Sequence, residues 1–238
     1  MNLPNLEAQR RRAAKRNRAR TPSKSHPDRQ HGPVLDLLFP VACPCCGALA
    51  GGPCDRCVAA FPSAPTLPVP TGLEDARAVF AFGVGPRRVV LACKASGRHA
   101  LVRHMAAAMA GQFNQSADAI LTWVPTSPER VRQRGFDHAR LLTVELGRLT
   151  ALPVRRLLIR RSDAQEGHTR AERDRVVFDA VADHRVLEEA AGVSIVVVVD
   201  DVRTTGASLS SAARALIPAG VAAVAGLTYA ATPDPARR

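Results

Sequence analysis

Residues 195–208 read IVVVVDDVRTTGAS, and they are the most informative segment of the chain for its fold. The β-branched run 195–199 is typical of a strand buried on both faces, as in the middle of a parallel sheet covered by helices. The run ends in two carboxylates, and small or hydroxylated residues follow. Apolar residues then recur at helical spacing, namely Leu209, Ala212, Ala213 and Leu216. The pattern predicts a strand, a loop and a helix in that order.

The predicted loop is a candidate phosphate site. In open α/β sheets ligands bind beyond the carboxyl ends of the strands, where a helix N-terminus offers unpaired amide groups to an anion. Gly206 allows the backbone to approach a ligand closely, and the hydroxyl groups can donate hydrogen bonds to phosphate oxygens. The residues of this loop are Thr204, Thr205, Gly206, Ala207 and Ser208.

The two carboxylates before the loop suggest a sugar. Asp200 and Asp201 can accept hydrogen bonds from a vicinal diol, either directly or through a hard cation such as magnesium. A phosphate on one side and a diol on the other describe a ribose 5-phosphate. The alternative is that the two acids only cap the helix that follows.

A second cluster of charges supplies another candidate anion site. The strand predicted at Ile120–Val124 is followed by Arg130, Arg132 and Arg134 within five positions. Such crowding is unfavourable without an anion nearby, and arginine binds phosphate in a planar, two-pronged geometry. The alternative is a solvated basic turn.

Four of the six cysteines have the spacing of a metal site. Cys43 and Cys46 form one C-x-x-C pair, and Cys54 and Cys57 form a second. Tetrahedral zinc takes four thiolates, so the two pairs predict a structural zinc knuckle with no position left for a substrate. Cys45 could replace Cys46 as a ligand. A redox C-x-x-C motif is the competing interpretation, although such sites normally need one pair.

The net charge of +12 is concentrated at the N-terminus, since residues 1–30 carry nine basic and two acidic side chains. With almost no large apolar residues, residues 1–33 are expected to be a disordered leader. Their charge could bind single-stranded DNA weakly, or they could be a solvated tail or an over-extended start. No apolar run is long enough to span a membrane, and no secretory signal is recognisable, so we expect a cytoplasmic location.

These motifs together resemble the type I phosphoribosyltransferases, whose signature is four apolar residues, two acids and a Thr-Gly-rich loop. Within that superfamily, residues 34–232 resemble the ComF family of competence-associated proteins, which carry a four-cysteine knuckle ahead of the transferase domain. The segments Val124-Pro125 and RGFDH at 134–138 fit a ComF hallmark. One departure is Asp137-His138, where the family commonly has Asn-Gln.

The resemblance implies phosphoribosyl pyrophosphate as ligand, bound together with magnesium. It gives catalytic roles to Asp200, Asp201, Lys94 and Arg134. It places the ligand against Arg130, Arg132, the two acids and the run 203–208, including Arg203. It also implies a lid loop that carries Gln165 and Arg173.

We therefore expect an α/β fold, a parallel sheet with helices on both faces, with a small N-terminal zinc knuckle. The expected domains are a leader at 1–33, the knuckle at 34–62, a linker at 63–73 and a phosphoribosyltransferase-like body at 74–232. The expected function is transfer of ribosyl phosphate to an unknown acceptor with release of pyrophosphate. The alternative is a non-catalytic competence module that binds single-stranded DNA or the proteins of the competence machinery.

Overall fold

A computed structural model describes residues 42–113, 118–161 and 177–233, all within one compact unit. The β-branched and apolar runs form strands as predicted. The central strand continues through both acids, however, instead of ending before them, because residues 202 and 203 still pair with the neighbouring strand. The strands in chain order are β1 (Asp75–Ala81), β2 (Ala119–Trp123), β3 (Leu158–Arg160), β4 (Phe178–Ala180), β5 (Ile195–Arg203) and β6 (Val224–Ala231).

The helices follow the apolar periodicity of the chain. The arginine-rich segment is a short helix that begins at Pro128 after the N-cap Ser127, whose hydroxyl accepts from the amide of Arg130. The helices in chain order are α1 (Asp55–Ala59), α2 (Val84–Ser96), α3 (His99–Ala110), α4 (Pro128–Arg134), α5 (His138–Thr150), α6 (His184–Ala191) and α7 (Ala207–Leu216).

The main sheet has the strand order β1-β6-β5-β2, and all of its neighbouring pairs are parallel. Strand β5 therefore lies inside the sheet, with hydrogen-bonded neighbours on both sides. The short strands β3 and β4 form a separate antiparallel hairpin. This arrangement brings the carboxyl ends of β2 and β5 to one edge of the sheet.

Helices cover both faces of the sheet, which confirms the predicted fold class. Val197 and Val199 pack in one core with apolar residues of α2, α3 and α5. Val196 and Val198 pack in a second core with residues of α7 and of the β3–β4 hairpin. Because side chains alternate along a strand, a continuous valine run is what burial on both faces requires.

The segment between the knuckle and the body packs against the loop after β5. Gly206 is the N-cap of α7 and has a φ of 80°, and a Cβ placed there would lie 2.7 Å from Cγ of the buried Pro70. Gly135, the C-cap of α4, has nearly the same φ of 81° but has open space around its Cα. The two glycines differ in packing and share a backbone conformation.

We predict that Gly206→Ala destabilises the protein more than Gly135→Ala does. Both substitutions force alanine into the left-handed region, at a cost of about 1–2 kcal/mol. Only Gly206→Ala also pushes a methyl group into the rigid Pro70 ring, which adds about 1–3 kcal/mol of overpacking. Urea unfolding of both variants measures the difference. Equal losses of stability would contradict the described packing of Pro70 on the loop.

Candidate active site

A cavity of about 340 Å³ lies at the carboxyl ends of β2 and β5. Such a volume is at the lower end of the range for small-molecule sites, about 300–1,000 Å³. Seven parts of the fold contribute to its wall, so its shape depends on the whole body. The lining residues are Lys94, Val124, Pro125, Thr126, Ser127, Arg130, Arg134, His138, Ala139, Arg160, Asp200, Asp201 and Ser208.

The two adjacent acids belong to different sides of the sheet. Asp201 continues the alternation of Val197 and Val199, and its contacts are with residues of α2 and α5. Asp200 continues the alternation of Val196 and Val198, which pack with α7. Successive side chains of a strand point to opposite faces, so the two carboxylates have different neighbours although both line the cavity.

Asp201 is buried, and its carboxylate is held by two side chains. The Lys94 ammonium forms an ion pair with Oδ2, and His138 Nε2 lies 3.7 Å from the same oxygen. Oδ1 accepts a hydrogen bond of 2.9 Å from the amide of Val202. Burial alone would raise the pKa of Asp201, but Lys94 and then His138 outweigh it, so the pKa is lowered and the carboxyl group is ionised.

Asp200 is in the opposite electrostatic situation. Burial raises its pKa well above the ordinary value, and the negative charge of Asp201 raises it further. The amide of Asp201 donates to Asp200 Oδ1 at 2.8 Å, which offsets only part of this effect. Asp201 is therefore a stabilised carboxylate, whereas the negative charge of an ionised Asp200 is poorly compensated.

His138 is a site residue whose role the sequence did not predict. It is 2% exposed and lines the cavity. Its Nδ1 lies 3.6 Å from Cys93 Sγ, and its Nε2 faces Asp201. Burial lowers the pKa of His138, so the ring is neutral at neutral pH. Burial also raises the pKa of Cys93 to about 12, so this buried thiol is protonated at neutral pH.

The neighbouring Asp137 fixes the position of His138. Asp137 is the N-cap of α5, where its carboxylate accepts from the amide of Arg140 at 3.3 Å. The same carboxylate accepts from Thr126 Oγ1 at 2.9 Å and from Trp123 Nε1 at 3.3 Å. These bonds connect the start of α5 to the end of β2. Of the two residues that depart from the ComF pattern, Asp137 thus caps α5 and His138 lines the cavity.

The predicted arginine cluster divides between the cavity and the solvent. Arg130 and Arg134 are four positions apart on α4 and both line the cavity. Arg132 does not line it; its side chain is 70% exposed and pairs with Glu129 at 3.1 Å. Arg160, at the end of β3, adds a lining cation that the sequence analysis did not assign to the site. The sequence feature that pointed to this role was the position of Arg160 at the end of a short apolar run.

The predicted phosphate loop reaches the cavity through its last residue. Ser208, in the first turn of α7, lines the cavity, whereas Thr204, Thr205 and Ala207 are exposed around the start of the helix. Arg203 is directed elsewhere. It is 7% exposed, and its guanidinium group donates to the backbone carbonyl of Pro68. Its Nε has no hydrogen-bond partner among the described residues.

The knuckle cysteines come together as their spacing predicts. The sulfur atoms of Cys43, Cys46, Cys54 and Cys57 all lie within 4.8 Å of one another. Burial would raise the pKa of Cys43, but amide donors led by Cys54 lower it to about 6, which favours the thiolate that a metal requires. Cys45 is not a member of this cluster, and its thiol donates to the Gly85 carbonyl at 3.7 Å. The four-sulfur set fits a tetrahedral zinc ion.

Several predictions concern residues outside the described ranges. The lid residues Gln165 and Arg173 and the leader 1–33 all lie there. In the part of the chain that the structure describes, no helix combines the length and the apolar character needed to cross a membrane.

The parallel sheet, the paired acids of β5 and the small-residue start of α7 form the arrangement that the resemblance to type I phosphoribosyltransferases implies. No family model matches the chain. The chain is similar to the competence protein ComFC of Bacillus subtilis (strain 168), with 34% identity over 104 residues. The match covers 44% of this chain and 40% of ComFC. This similarity confirms the likeness to ComF proteins predicted from the motifs.

Solved structures of phosphoribosyltransferases are distant neighbours. The purine phosphoribosyltransferase of Pyrococcus horikoshii Ot3 has 15% identity and a TM-score of 0.34, over 56% of this chain and 74% of its own. The orotate phosphoribosyltransferase of Aeropyrum pernix has 18% identity and a TM-score of 0.33, over 63% and 71%.

We predict opposite stability changes for the two acids. Asp201→Asn should destabilise the protein at neutral pH, because Lys94 loses its partner. Asp200→Asn should stabilise it, because an ionised Asp200 is disfavoured by burial and by Asp201. Each unit of pKa displacement is worth about 1.4 kcal/mol.

The pH dependence of urea unfolding checks the signs. A raised native pKa destabilises above that pKa and has no effect below the unfolded value, so the gain from Asp200→Asn should shrink as pH falls towards about 4. A lowered native pKa stabilises above the unfolded value, so the loss from Asp201→Asn should persist until pH falls below about 4 and through the native pKa. A destabilised Asp200→Asn protein at neutral pH would contradict the described environments.

We also predict that Cys46→Ser protein loses its zinc, whereas Cys45→Ser protein retains it. Cys46 belongs to the four-sulfur cluster and Cys45 does not. Elemental analysis of the purified variants gives the zinc content, and thermal unfolding shows whether the loss also destabilises the fold. Retention of zinc by the Cys46→Ser protein would contradict this assignment of the ligands.

Proposed function

We propose that the cavity binds phosphoribosyl pyrophosphate together with magnesium, and that the protein transfers ribosyl phosphate to an acceptor. The observation that carries this proposal is the meeting of acids from β5, a hydroxyl group from the start of α7 and cations from α2 and α4 around one cavity. A sugar with an anion at each end needs acids, a hydroxyl group and cations around one cavity.

The division of roles follows from the position of each group. Ser208 and the amides at the start of α7 would bind the 5-phosphate, together with the hydroxyl groups of the loop before it. Asp200 and Asp201 would bind the sugar hydroxyls. Lys94, Arg130 and Arg134 would bind the pyrophosphate, for which arginine offers two parallel donors. In this assignment Arg132 and Arg203 have no direct contact with the ligand, contrary to the prediction from the sequence.

The proposed chemistry is a displacement at C1 of the sugar. The bond between C1 and the pyrophosphate oxygen breaks, the electron pair leaves with pyrophosphate, and C1 gains positive charge before the acceptor forms a new bond to it. Preorganised cations that face the departing oxygen stabilise the developing negative charge. Exclusion of water protects the electron-poor C1 from hydrolysis.

Magnesium would neutralise part of the pyrophosphate charge. Among the residues of the cavity, Asp200 is the carboxyl group best placed to approach it, because Asp201 is already paired with Lys94. A cation or sugar hydroxyl groups bound to Asp200 would compensate its negative charge, which the neighbouring residues leave poorly compensated.

The similarity to ComFC supports a second candidate, a role in competence. In this view the protein is a non-catalytic module that binds single-stranded DNA or other proteins of the competence machinery. The basic leader, with nine basic and two acidic residues among the first 30, suits a nucleic-acid partner. The two candidates differ in whether the cavity has a ligand.

We predict that Arg134→Ala weakens the binding of phosphoribosyl pyrophosphate by about 10-fold to 100-fold, whereas Arg132→Ala changes it by less than about 3-fold. The two arginines lie on one short helix, but only Arg134 lines the cavity. Titration calorimetry with magnesium present measures both affinities. Pyrophosphate release with a panel of bases and amines then tests for turnover.

The outcomes separate the candidates. Equal affinities of the wild type and the Arg134→Ala protein would refute the assigned pyrophosphate contact. Absence of binding to the wild type would refute the proposal. Salt-dependent binding of single-stranded DNA that disappears when residues 1–31 are deleted would then favour the competence role alone.

A further inference from the structure

Phe136 is a half-buried phenylalanine that belongs to neither of the two apolar cores. The other phenylalanines of the described ranges pack in one core or the other. Phe136 does not line the cavity either, although it lies two residues after Arg134 and two before His138, which both do. Its ring packs on the short connection between α2 and α3. A Cβ placed at Gly97 would lie 2.7 Å from Cε1 and 2.8 Å from Cζ of this ring.

The contact between Phe136 and Gly97 joins the ends of two helices. Gly97 is the C-cap of α2, with a φ of 58°, and its amide donates to the Cys93 carbonyl at 2.8 Å. Gly135 is the C-cap of α4, and its amide donates to the Val131 carbonyl at 2.7 Å. The residue after such a left-handed glycine commonly makes an apolar contact with its own helix. Phe136, the residue after Gly135, packs on the end of a different helix.

Each of these two helix ends carries a cation that lines the cavity. Lys94 is in the last turn of α2, and Arg134 is the last residue of α4. Cations are favourable at these positions, because the C-terminus of a helix has a partial negative charge. Burial lowers the pKa of His138, and the charges of both cations lower it further. The two cations therefore converge on one part of the cavity.

Two cations that converge repel each other, so their spacing depends on the backbone that carries them. Helix α4 has seven residues and none of them is buried, so its position depends on the residues that flank it. Phe136 supplies such a contact at the C-terminal end of α4. An anion with two phosphate groups gains most from donors that are already in place. A misplacement of about 1 Å in such a site can lower a rate by about 100-fold.

We propose that Phe136, packed on Gly97, is a positioning residue that sets the distance between Lys94 and Arg134 for the binding of pyrophosphate. This inference rests on the proposed function and adds to it two residues outside the cavity lining. Glycine is needed at position 97 for its left-handed conformation and also because the ring occupies the space of a Cβ. Phe136 acts through the two cations and has no contact with the ligand.

The test compares the affinities for phosphoribosyl pyrophosphate and for ribose 5-phosphate, measured by titration calorimetry with magnesium present. The ratio of the two affinities reports the contribution of the pyrophosphate end. Gly97→Ala should lower this ratio by at least about 10-fold, because the new methyl group displaces the ring. Phe136→Leu should lower it by at least about 3-fold, because the smaller side chain leaves the two helix ends less well fixed.

Gly51→Ala is the matched control for the backbone strain. Gly51 has a φ of 69°, has open space around its Cα and lies outside the cavity lining. Alanine there meets similar strain without a ring to displace, so the ratio should stay within about 2-fold of the wild-type value. The double variant Gly97→Ala/Phe136→Leu should have a higher ratio than Gly97→Ala alone, because leucine leaves room for the methyl group. A double variant without this recovery would assign the loss to strain at position 97 and refute the inference.

Phe136→Leu introduces no backbone strain, so the test does not depend on the folding of the Gly97→Ala protein. Urea unfolding of each variant reports its stability separately from the affinity ratio. An unchanged ratio in the Phe136→Leu protein, even with reduced stability, would show a merely structural role. That result would refute this inference and leave the proposed function intact. A wild type that does not bind phosphoribosyl pyrophosphate would refute the proposed function and the inference with it.

Discussion

The ion pair between Lys94 and Asp201 is the interaction on which the site depends. A strand buried on both faces carries a carboxylate into a region where an isolated charge is strongly disfavoured. Lys94, in the last turn of α2, supplies the opposite charge. Such a pair contributes little net stability, but removal of either member leaves a buried charge. The positions of α2 and β5 are therefore linked by electrostatics as well as by apolar packing.

The alternation of side chains along β5 explains why two identical residues differ. Asp201 faces the helices that supply Lys94 and His138, and its negative charge is compensated. Asp200 faces the side of α7, and none of the described ion pairs includes it. A ligand with hydroxyl groups or a bound cation can compensate Asp200, so part of the binding free energy would come from relief of an unfavourable charge. This is a common relation between stability and function in binding sites.

The sequence predicts those features that depend on local patterns. Three motifs have a spacing that is compatible with one structure, namely the valine run, the acid pair and the two C-x-x-C pairs. The observed sheet and the observed sulfur cluster agree with these predictions. The roles of Arg132 and Arg203 depend on where their side chains point, which the residue type does not reveal. Had residues 128–134 been interpreted as a helix, the 3.6-residue period would have placed Arg132 opposite Arg130 and Arg134. Arg203 turns inward because β5 continues past the acids, and that extension depends on pairing with β6.

Helix α2 contacts the knuckle segment at its first turn and contributes to the cavity at its last turn. The small N-terminal motif therefore helps to position residues of the site. At the first turn of α2, the Cys45 thiol donates to the Gly85 carbonyl, and Arg88 donates to the Cys45 carbonyl at 2.7 Å. The ring of Phe61 packs so closely on Gly85 that a Cβ there would lie 2.3 Å from it. The last turn of the same helix carries Cys93 and Lys94 into the site. Because an α-helix transmits position along its axis, contacts that fix the start of α2 also limit where the Lys94 ammonium can lie. Cys45, which is not a member of the sulfur cluster, thereby connects the knuckle to the charge that holds Asp201.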